Sequence, residues 1–205
     1  MTPRLTMKTF FKILFAPLLW LVHACSPLGE PVDEEKSNNH YYNKKKNDIR
    51  YSPMGNWFEL GNSPMNADVE SFEVLNKYFG KDKNHVYYEA NTIEKGAVDL
   101  ASFHVKNNEY MPWVGLDKKH AYTFEKVYGK SKKGVKAIII VGADPKTYTH
   151  TDWDWANDGK NRFYKFKMIP GDYETFEIMN ESFSKDKTTV FHQNGNSLTT
   201  ITADP

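Results

Sequence analysis

The sequence predicts an all-β protein, in which short hairpin or meander repeats of about 30 residues stack into one array. Three observations predict this fold. Four segments of the chain align with one another, their apolar residues alternate with a period of two, and aromatic residues make up 15% of the 205 residues. Because such short units cannot enclose a core alone, neighbouring units must stack. We expect short helices only in insertions.

Each copy contains two aspartates at defined positions. The first lies four residues before an aromatic residue, and the pairs are Asp68 and Phe72, Asp99 and Phe103, Asp144 and Tyr148, and Asp172 and Phe176. The second follows that aromatic residue by ten positions in three copies and by 14 in the other. These second aspartates are Asp82, Asp117, Asp158 and Asp186. The longer spacing predicts an insertion over residues 110–113, where a loop absorbs the extra length.

The second aspartate opens a predicted turn. In the first copy, Asp82 is followed by Lys83 and Asn84 and then by the β-branched and aromatic residues 86–88. Asp and Asn tolerate the backbone of tight turns, whereas β-branched and aromatic residues favour strands. We therefore predict structural hairpin turns at this signature and at the equivalent positions Asp117, Asp158 and Asp186.

This Asp-Lys-Asn-aromatic signature resembles that of the DKNYY family of bacterial proteins. The resemblance covers roughly residues 50–205 and implies the repeat architecture. The family has no established activity and no assigned catalytic residues, so the resemblance implies no functional residue. At positions 117–119 and 186–188 the asparagine of the signature is missing, which predicts degenerate copies whose turns still form.

The amino terminus predicts a lipoprotein-type signal peptide over residues 1–24. Basic residues precede an apolar run of about ten residues, which is shorter than the about 20 that a spanning helix needs. Cys25, the only cysteine, directly follows this run and resembles the lipobox cysteine of bacterial lipoproteins. That resemblance implies acylation of Cys25, anchoring in the cell membrane, and sorting to the outer membrane of a Gram-negative host. The alternative is a secreted protein with a free thiol. Either Met1 or Met7 can be the initiator.

Two further segments complete the predicted organisation. Residues 25–49 are rich in Pro, Asn and charge without apolar periodicity, and so predict an acylated cysteine followed by a flexible tether. Residues 50–205 form the predicted repeat domain. A net charge of +1 without a basic stripe argues against a nucleic-acid partner.

The sequence predicts binding rather than catalysis. The sequence contains no catalytic motif, no cofactor fingerprint and no metal-ligand spacing. The segment with Asp152 and Asp154 does not have the ligand spacing of a calcium loop and instead predicts a turn. The loop residues Trp113, Trp153 and Trp155 are candidate binding aromatics, with core packing as the alternative.

We therefore expect a binding or interaction module of the bacterial cell envelope, with an unidentified protein as its partner. One alternative is an immunity or inhibitor lipoprotein that acts against an envelope-directed toxin. The other is a glycan-binding protein or a hydrolase.

Overall fold

The computed structural model describes residues 26–128, 133–195 and 197–201, and their strands form five small antiparallel sheets. We number these sheets units 1 to 5 in chain order. Consecutive strands are neighbours in every sheet, so each unit is a meander. The predicted all-β fold of short meander repeats is confirmed.

The strand bounds of the first three units are as follows. Unit 1 contains β1 (Leu28–Asp33), β2 (Ser37–Asn43), β3 (Ile49–Tyr51) and β4 (Ser63–Pro64). Unit 2 contains β5 (Glu73–Val74), β6 (Phe79–Lys81), β7 (Val86–Tyr88) and β8 (Asn91–Thr92). Unit 3 contains β9 (Gly115–Leu116), β10 (Ala121–Tyr128) and β11 (Lys133–Ile139). An isolated bridge from His104 to Leu116 takes the place of its first strand.

The last two units have four strands each. Unit 4 contains β12 (Thr149–His150), β13 (Trp155–Asn157), β14 (Arg162–Tyr164) and β15 (Lys167–Met168). Unit 5 contains β16 (Glu177–Ile178), β17 (Phe183–Lys185), β18 (Val190–Asn194) and β19 (Ser197–Ile201). A 3-10 helix at Tyr173–Thr175 precedes β16, and it is the one helix of the described residues. It lies at the opening of a copy, not in an insertion as predicted.

The core consists of four clusters of buried apolar side chains in the described part of the chain, and each cluster joins two consecutive units. Units 1 and 2 share Ile49, Tyr51, Met65, Ala67 and Tyr87. Units 2 and 3 share Phe79, Val86, Ile93, Phe103 and Val135. Units 3 and 4 share Met111, Val114, Leu116, Ala121, Ile140, Tyr148, Ala156 and Phe163. Units 4 and 5 share Trp155, Tyr164, Ile169 and Phe191. Stacking thus buries what no single unit can bury.

A small residue lies opposite each opening aromatic ring. The small residue lies two positions before the signature aspartate and pairs across the hairpin with the residue five positions after it. The small residues are Gly80, Gly115, Ala156 and Ser184. A Cβ at Gly80 would fall 2.4 Å from Cζ of Phe72, and one at Gly115 would fall 2.5 Å from Cζ of Phe103. The ring therefore occupies the space that a side chain would need.

The structure corrects the flexible tether predicted over residues 25–49. β1 and β2 pair antiparallel there, with register shifts on either side of Pro31, and the strands of the array begin at Leu28 instead of residue 50. The core-facing residues of β2 include Ser37, Asn39 and His40, so no apolar alternation marks the strand. Hydrogen bonds replace apolar contact, since Asn39 Nδ2 donates to the carbonyl of Pro53 at 2.9 Å.

Unit 1 also hides its signature turn. Asn43 occupies the position of the signature aspartate, and its Oδ1 accepts the N–H of Asn47 at 3.0 Å. Its backbone N–H donates to the carbonyl of Asp48, five residues on, whereas Asp82 donates to His85, three residues on. Two extra residues and a changed side chain therefore broke the alignment of this copy with the others.

Candidate functional site

Each signature aspartate fastens the turn that it opens, an arrangement that we call the aspartate clip. In unit 2, Oδ1 of Asp82 accepts the N–H groups of Asn84 and His85, both at 2.7 Å. Its Oδ2 accepts the N–H of Asp68 at 2.9 Å. In the other units the backbone N–H of the opening aspartate donates to Oδ2 of the signature aspartate in the same way. The distances are 2.9 Å from Asp99 to Asp117, 3.1 Å from Asp144 to Asp158 and 2.9 Å from Asp172 to Asp186. Because the donor is a backbone N–H, this bond requires the side chain of the signature aspartate but not that of the opening aspartate.

The signature lysine pairs with the opening aspartate. Nζ of Lys83 lies 2.6 Å from Oδ2 of Asp68. The equivalent pairs are Lys118 with Asp99 at 2.8 Å and Lys187 with Asp172 at 2.5 Å. In unit 4 the position belongs to Gly159, whose φ of +83° suits glycine. The signature is thus a closed set of internal bonds with a structural role.

The clip carboxylates are held in the charged form. Burial alone would raise the pKa of Asp82, but the N–H groups and the hydroxyl of Tyr87 that it accepts lower the pKa below its ordinary value. The N–H groups of Asp172, Thr188 and Thr189 lower the pKa of Asp186 to about 2. These aspartates are therefore engaged acceptors at neutral pH, not proton donors.

The structure brings two of the three predicted tryptophans together. The rings of Trp113 and Trp153 stack with centroids 5.4 Å apart and planes 18° apart, and Tyr110 meets Trp153 edge-on at 5.5 Å. Trp113 is partly buried against the core between units 3 and 4. Trp153, in the turn between β12 and β13, keeps 57% of its surface exposed. We call these three rings the aromatic platform.

Trp155 belongs to the core. It is buried between units 4 and 5, with Tyr164 at 5.0 Å and Phe176 at 5.5 Å between ring centroids. The prediction that Trp155 is a binding aromatic is therefore wrong, and the alternative of core packing is correct for this residue. Asp152 Oδ1 accepts the N–H groups of Asp154 and Trp155 at 2.8 and 2.9 Å, so this segment is the capped turn that the sequence predicts.

Trp153 lines a groove of about 670 Å³ that follows one edge of the array. Glu35 and Lys36 come from the turn between β1 and β2, and residues 75–77 from the turn between β5 and β6. Residues 105–109 and Pro112 come from the loop of unit 3 between the His104 bridge and β9. The first turns of four consecutive units therefore form one continuous site, which we call the aromatic groove.

Polar side chains make the walls of the aromatic groove rigid. Asn76 Nδ2 donates to the carbonyl of Pro112 at 2.8 Å, which ties unit 2 to unit 3. Asn108 Nδ2 donates to Thr149 Oγ1 and to the carbonyl of His150, both at 3.0 Å, which ties unit 3 to unit 4. These amides are committed to the fold, so they position the groove.

The charges of the aromatic groove are mixed in sign. Glu35 and Glu109 oppose Lys36, Lys77 and Lys106 along its walls, so the lining carries one cation more than it carries anions. Lys106 Nζ donates to the carbonyls of Lys146 and Tyr148, at 3.0 and 2.7 Å, and burial lowers its pKa. The groove thus has no strong field of one sign.

Sequence reasoning missed the contribution of unit 1 to this groove, and the spacing of its Asx residue explains why. The side chains of Asp33, Asn76, Asp152 and Asn180 accept the N–H of the residue three positions on, where the second strand begins or is about to begin. This Asx residue precedes the signature aspartate by six positions in units 2, 4 and 5, whereas Asp33 precedes Asn43 by ten. The spacing therefore does not mark unit 1 as a further copy.

The remaining predicted features lie elsewhere. Cys25 and the signal peptide lie outside the described residues. Among residues 26–128, 133–195 and 197–201, no helix is long and apolar enough to cross a membrane. The same residues hold no group of three or more His, Cys, Asp or Glu side chains that could bind a metal ion.

Comparison with known proteins gives one match. A model of the DKNYY family matches residues 42–195, which include the third strand of unit 1 and nearly all of units 2 to 5. No curated protein and no solved structure matches the chain.

Proposed function

The chain belongs to the DKNYY family, and from that premise we propose that it is a membrane-anchored lipoprotein of the bacterial cell envelope whose repeat array binds a glycan chain. The binding site is the aromatic groove. The anchor is the acylated Cys25, and the array is a binding module rather than an enzyme.

The observation that carries the proposal is the half-exposed indole of Trp153 at the end of a groove that crosses four units. An indole fixed by stacking offers a flat apolar surface at little cost in side-chain entropy. The C–H faces of sugar rings are flat and apolar in the same way. A volume of about 670 Å³ lies within the range of ligand-binding clefts.

The shape and charge of the groove favour an extended ligand without strong charge. Successive repeats place equivalent turns side by side, which suits a polymer whose own units repeat. Because Glu35 and Glu109 face three lysines in the lining, a polyanion would find a surplus of only one cation there. A neutral polysaccharide chain fits both conditions.

The position of the groove agrees with an anchor at Cys25. Ser26, the first described residue, lies next to the start of β1, whereas Glu35 lies beyond its other end. A strand of six residues spans roughly 20 Å. The groove is therefore turned away from the end of unit 1 that would carry the lipid.

The experiment is a titration of the full chain, purified in detergent, with soluble oligosaccharides by calorimetry. The probes are a neutral N-acetylglucosamine oligomer, a neutral glucose oligomer and a uronic acid oligomer. We expect a neutral oligomer to bind, with affinity rising with chain length, and the uronic acid oligomer to bind at least tenfold more weakly. Trp153→Ala should weaken binding at least tenfold without lowering the melting temperature, because its side chain is half-exposed.

The matched control is Trp57→Ala, since Trp57 lies in unit 1 outside the aromatic groove and contacts Phe58. This variant should bind as the unchanged chain does. Equal loss in both variants, or no binding of any oligosaccharide, contradicts the glycan proposal. Capture of one stoichiometric protein that Trp153→Ala abolishes would instead assign the groove to a protein partner, as the immunity alternative requires.

A further inference from the structure

Units 1, 2 and 4 each place one ring at the contact with the following unit, three residues before the signature position. We call it the contact ring, and the three contact rings are His40, Phe79 and Trp155. Each pairs across its hairpin with a tyrosine, at ring-centroid distances of 5.3, 5.1 and 5.0 Å respectively. Each also meets the opening ring of the following unit, at 5.8, 5.7 and 5.5 Å. Unit 1 therefore uses a titratable imidazole where units 2 and 4 use rings that stay uncharged.

The surroundings of His40 suit a neutral imidazole. The side chain is fully buried, and its Nδ1 lies 3.3 Å from Ser37 Oγ. Among the described residues, its Nε2 has no hydrogen-bond partner. An imidazolium carries a donor on each ring nitrogen, so protonation would leave a buried donor unsatisfied. Buried His150 in unit 4 differs, because its Nε2 lies 3.1 Å from Tyr148 Oη and its Nδ1 lies 3.1 Å from the carbonyl oxygen of Asp152.

The described groups that face His40 offer no counter-charge to an imidazolium. From β3 the ring of Tyr51 meets it, and burial raises the pKa of Tyr51, so this hydroxyl stays neutral in acid. From unit 2 the apolar ring of Phe72 meets it, and behind Phe72, at 5.9 Å, lies Tyr87, whose pKa burial also raises. Burial therefore lowers the pKa of His40 to about 4.

An exposed ion pair joins units 1 and 2 beside the aromatic groove. Lys36 Nζ lies 3.7 Å from Glu73 Oε1, and each side chain is about half exposed. Exposed pairs of this kind contribute little to stability. Units 2, 3 and 4 are joined there by the amide hydrogen bonds of Asn76 and Asn108. The ties described at the groove therefore hold unit 1 less firmly than they hold units 2, 3 and 4 together.

We propose that the contact between units 1 and 2 is an acid-sensitive joint, which opens when His40 is protonated and leaves units 2 to 5 folded. Opening brings the imidazole into water, where its pKa returns to the ordinary value of about 6.5. The open form therefore binds a proton at a higher pH than the closed form does, and a fall in pH from about 6.5 to about 4 favours opening.

The joint would also regulate the aromatic groove. Glu35 and Lys36 line the groove and belong to unit 1, so opening removes one part of its wall. Acid should therefore weaken binding in the groove. This consequence rests on the proposed function, whereas the joint itself does not.

Hydrogen exchange followed by mass spectrometry tests the joint on the full chain in detergent, without oligosaccharide. A single unit cannot enclose a core, so unit 1 exposes its backbone amides when the joint opens. Rates are corrected for the intrinsic pH dependence of amide exchange. We expect the protection factors of β2 and β3 to fall at least tenfold from pH 7 to pH 4.5. At pH 4.5, β10 of unit 3 should remain at least tenfold better protected than β2.

Substitutions identify the group responsible. His40→Phe, which gives unit 1 the ring that Phe79 provides in unit 2, should abolish the fall in protection, and His40→Leu replaces it if the larger ring prevents folding. The matched control His85→Gln removes a partly exposed imidazole from the clip turn of unit 2 and should keep the fall. Glu73→Gln removes the carboxylate of the boundary ion pair and should keep it too.

Three results would overturn the joint. The first is the same fall in protection in the His40 variants, and the second is its loss in His85→Gln or Glu73→Gln. The third is equal protection of β2 and β10, which would mean that unit 1 opens only when the whole array unfolds. Because no oligosaccharide is present, failure of the glycan proposal and failure of this one are distinguishable.

Discussion

Units 2 and 5 share their local structure but differ in what covers them. Both place a clip aspartate, Asp82 or Asp186, in the turn between second and third strands, and both pair the signature lysine with an opening aspartate. Yet Phe79 is fully buried, whereas its equivalent Phe183 is exposed. Local bonds therefore define the shape of a unit, and the neighbouring unit decides which of its side chains enter the core.

The largest expected difference between the two units follows from substituting this aromatic position. Phe79→Ala should lower the free energy of unfolding by about 3–5 kcal/mol, because it opens a cavity between units 2 and 3. Phe183→Ala should lower it by less than about 1 kcal/mol, because Phe183 is exposed in the described structure. Urea unfolding followed by far-UV circular dichroism measures both. Equal losses for the two variants would show that units 2 and 5 are covered alike, and the comparison between them would fail.

Removing the clip charge should have the next largest effect. Asp82→Asn should lower the free energy of unfolding by about 2–3 kcal/mol, because it disrupts acceptance of three N–H groups and of the buried Tyr87 hydroxyl. Asp186→Asn should cost less, since Phe191 stands in place of Tyr87 and unit 5 packs on one unit within the described residues. Thermal melting of the two variants measures the difference.

A double-mutant cycle tests the assigned cause. Tyr87→Phe should lower the free energy of unfolding more in the unchanged chain than in the Asp82→Asn variant. In the unchanged chain the Tyr87 hydroxyl still has the Asp82 carboxylate as its acceptor. If the two substitutions are additive, the hydroxyl contributes nothing through Asp82 and the explanation is wrong.

These clips are also the part of the fold that the sequence predicts best. One bond, from the N–H of Asp68 to Asp82 and its equivalents, recurs in units 2 to 5, and it also forms across the longer spacing from Asp99 to Asp117. Unit 1 could not be recognised in the same way. Asn43 replaces the aspartate, the turn is two residues longer, and buried polar residues such as His40 remove the apolar alternation.

The candidate site is predicted less completely. Trp153 and Trp155 stand in the same short segment, and composition cannot separate the turn residue from the core residue. Position relative to the signature can, because Trp155 precedes Asp158 by three residues, as Phe79 precedes Asp82. The groove itself arises from turns distant in sequence, which only the stacking of units brings together.

A smaller effect is expected at the residue opposite the opening ring. Gly80→Ser should lower the melting temperature, because the new Cβ would fall 2.4 Å from Cζ of Phe72. Overpacking of this kind lowers the free energy of unfolding by about 1–3 kcal/mol. In unit 5 this position already holds Ser184, so Ser184→Gly should lose only the bond that Ser184 Oγ accepts from Gln193. Calorimetric melting of both variants tests whether the two units pack the ring differently, and equal changes would refute that.

The smallest expected effect is an acid sensitivity that both units share. Hydrogen bonds from N–H groups lower the pKa of Asp186 in unit 5 to about 2. In unit 2, burial raises the pKa of Asp82, but the N–H groups and the Tyr87 hydroxyl lower it below its ordinary value, whereas unfolded aspartate has a pKa of about 3.9. Between about pH 4 and pH 2 the unfolded chain therefore binds protons before the folded chain does. Stability from these clips is complete above that window and is lost as the pH falls through it.

Urea midpoints measured at intervals from pH 7 to pH 2 should show this loss, and Asp186→Asn should reduce its slope below pH 4. Buried His40, whose pKa burial lowers to about 4, produces a separate loss between about pH 6.5 and pH 4, so His40→Phe should flatten only the upper window. An unchanged slope below pH 4 in Asp186→Asn would mean that the charge of the clip does not stabilise unit 5. The turn geometry that units 2 and 5 share would then rest on the backbone and the lysine pairs alone.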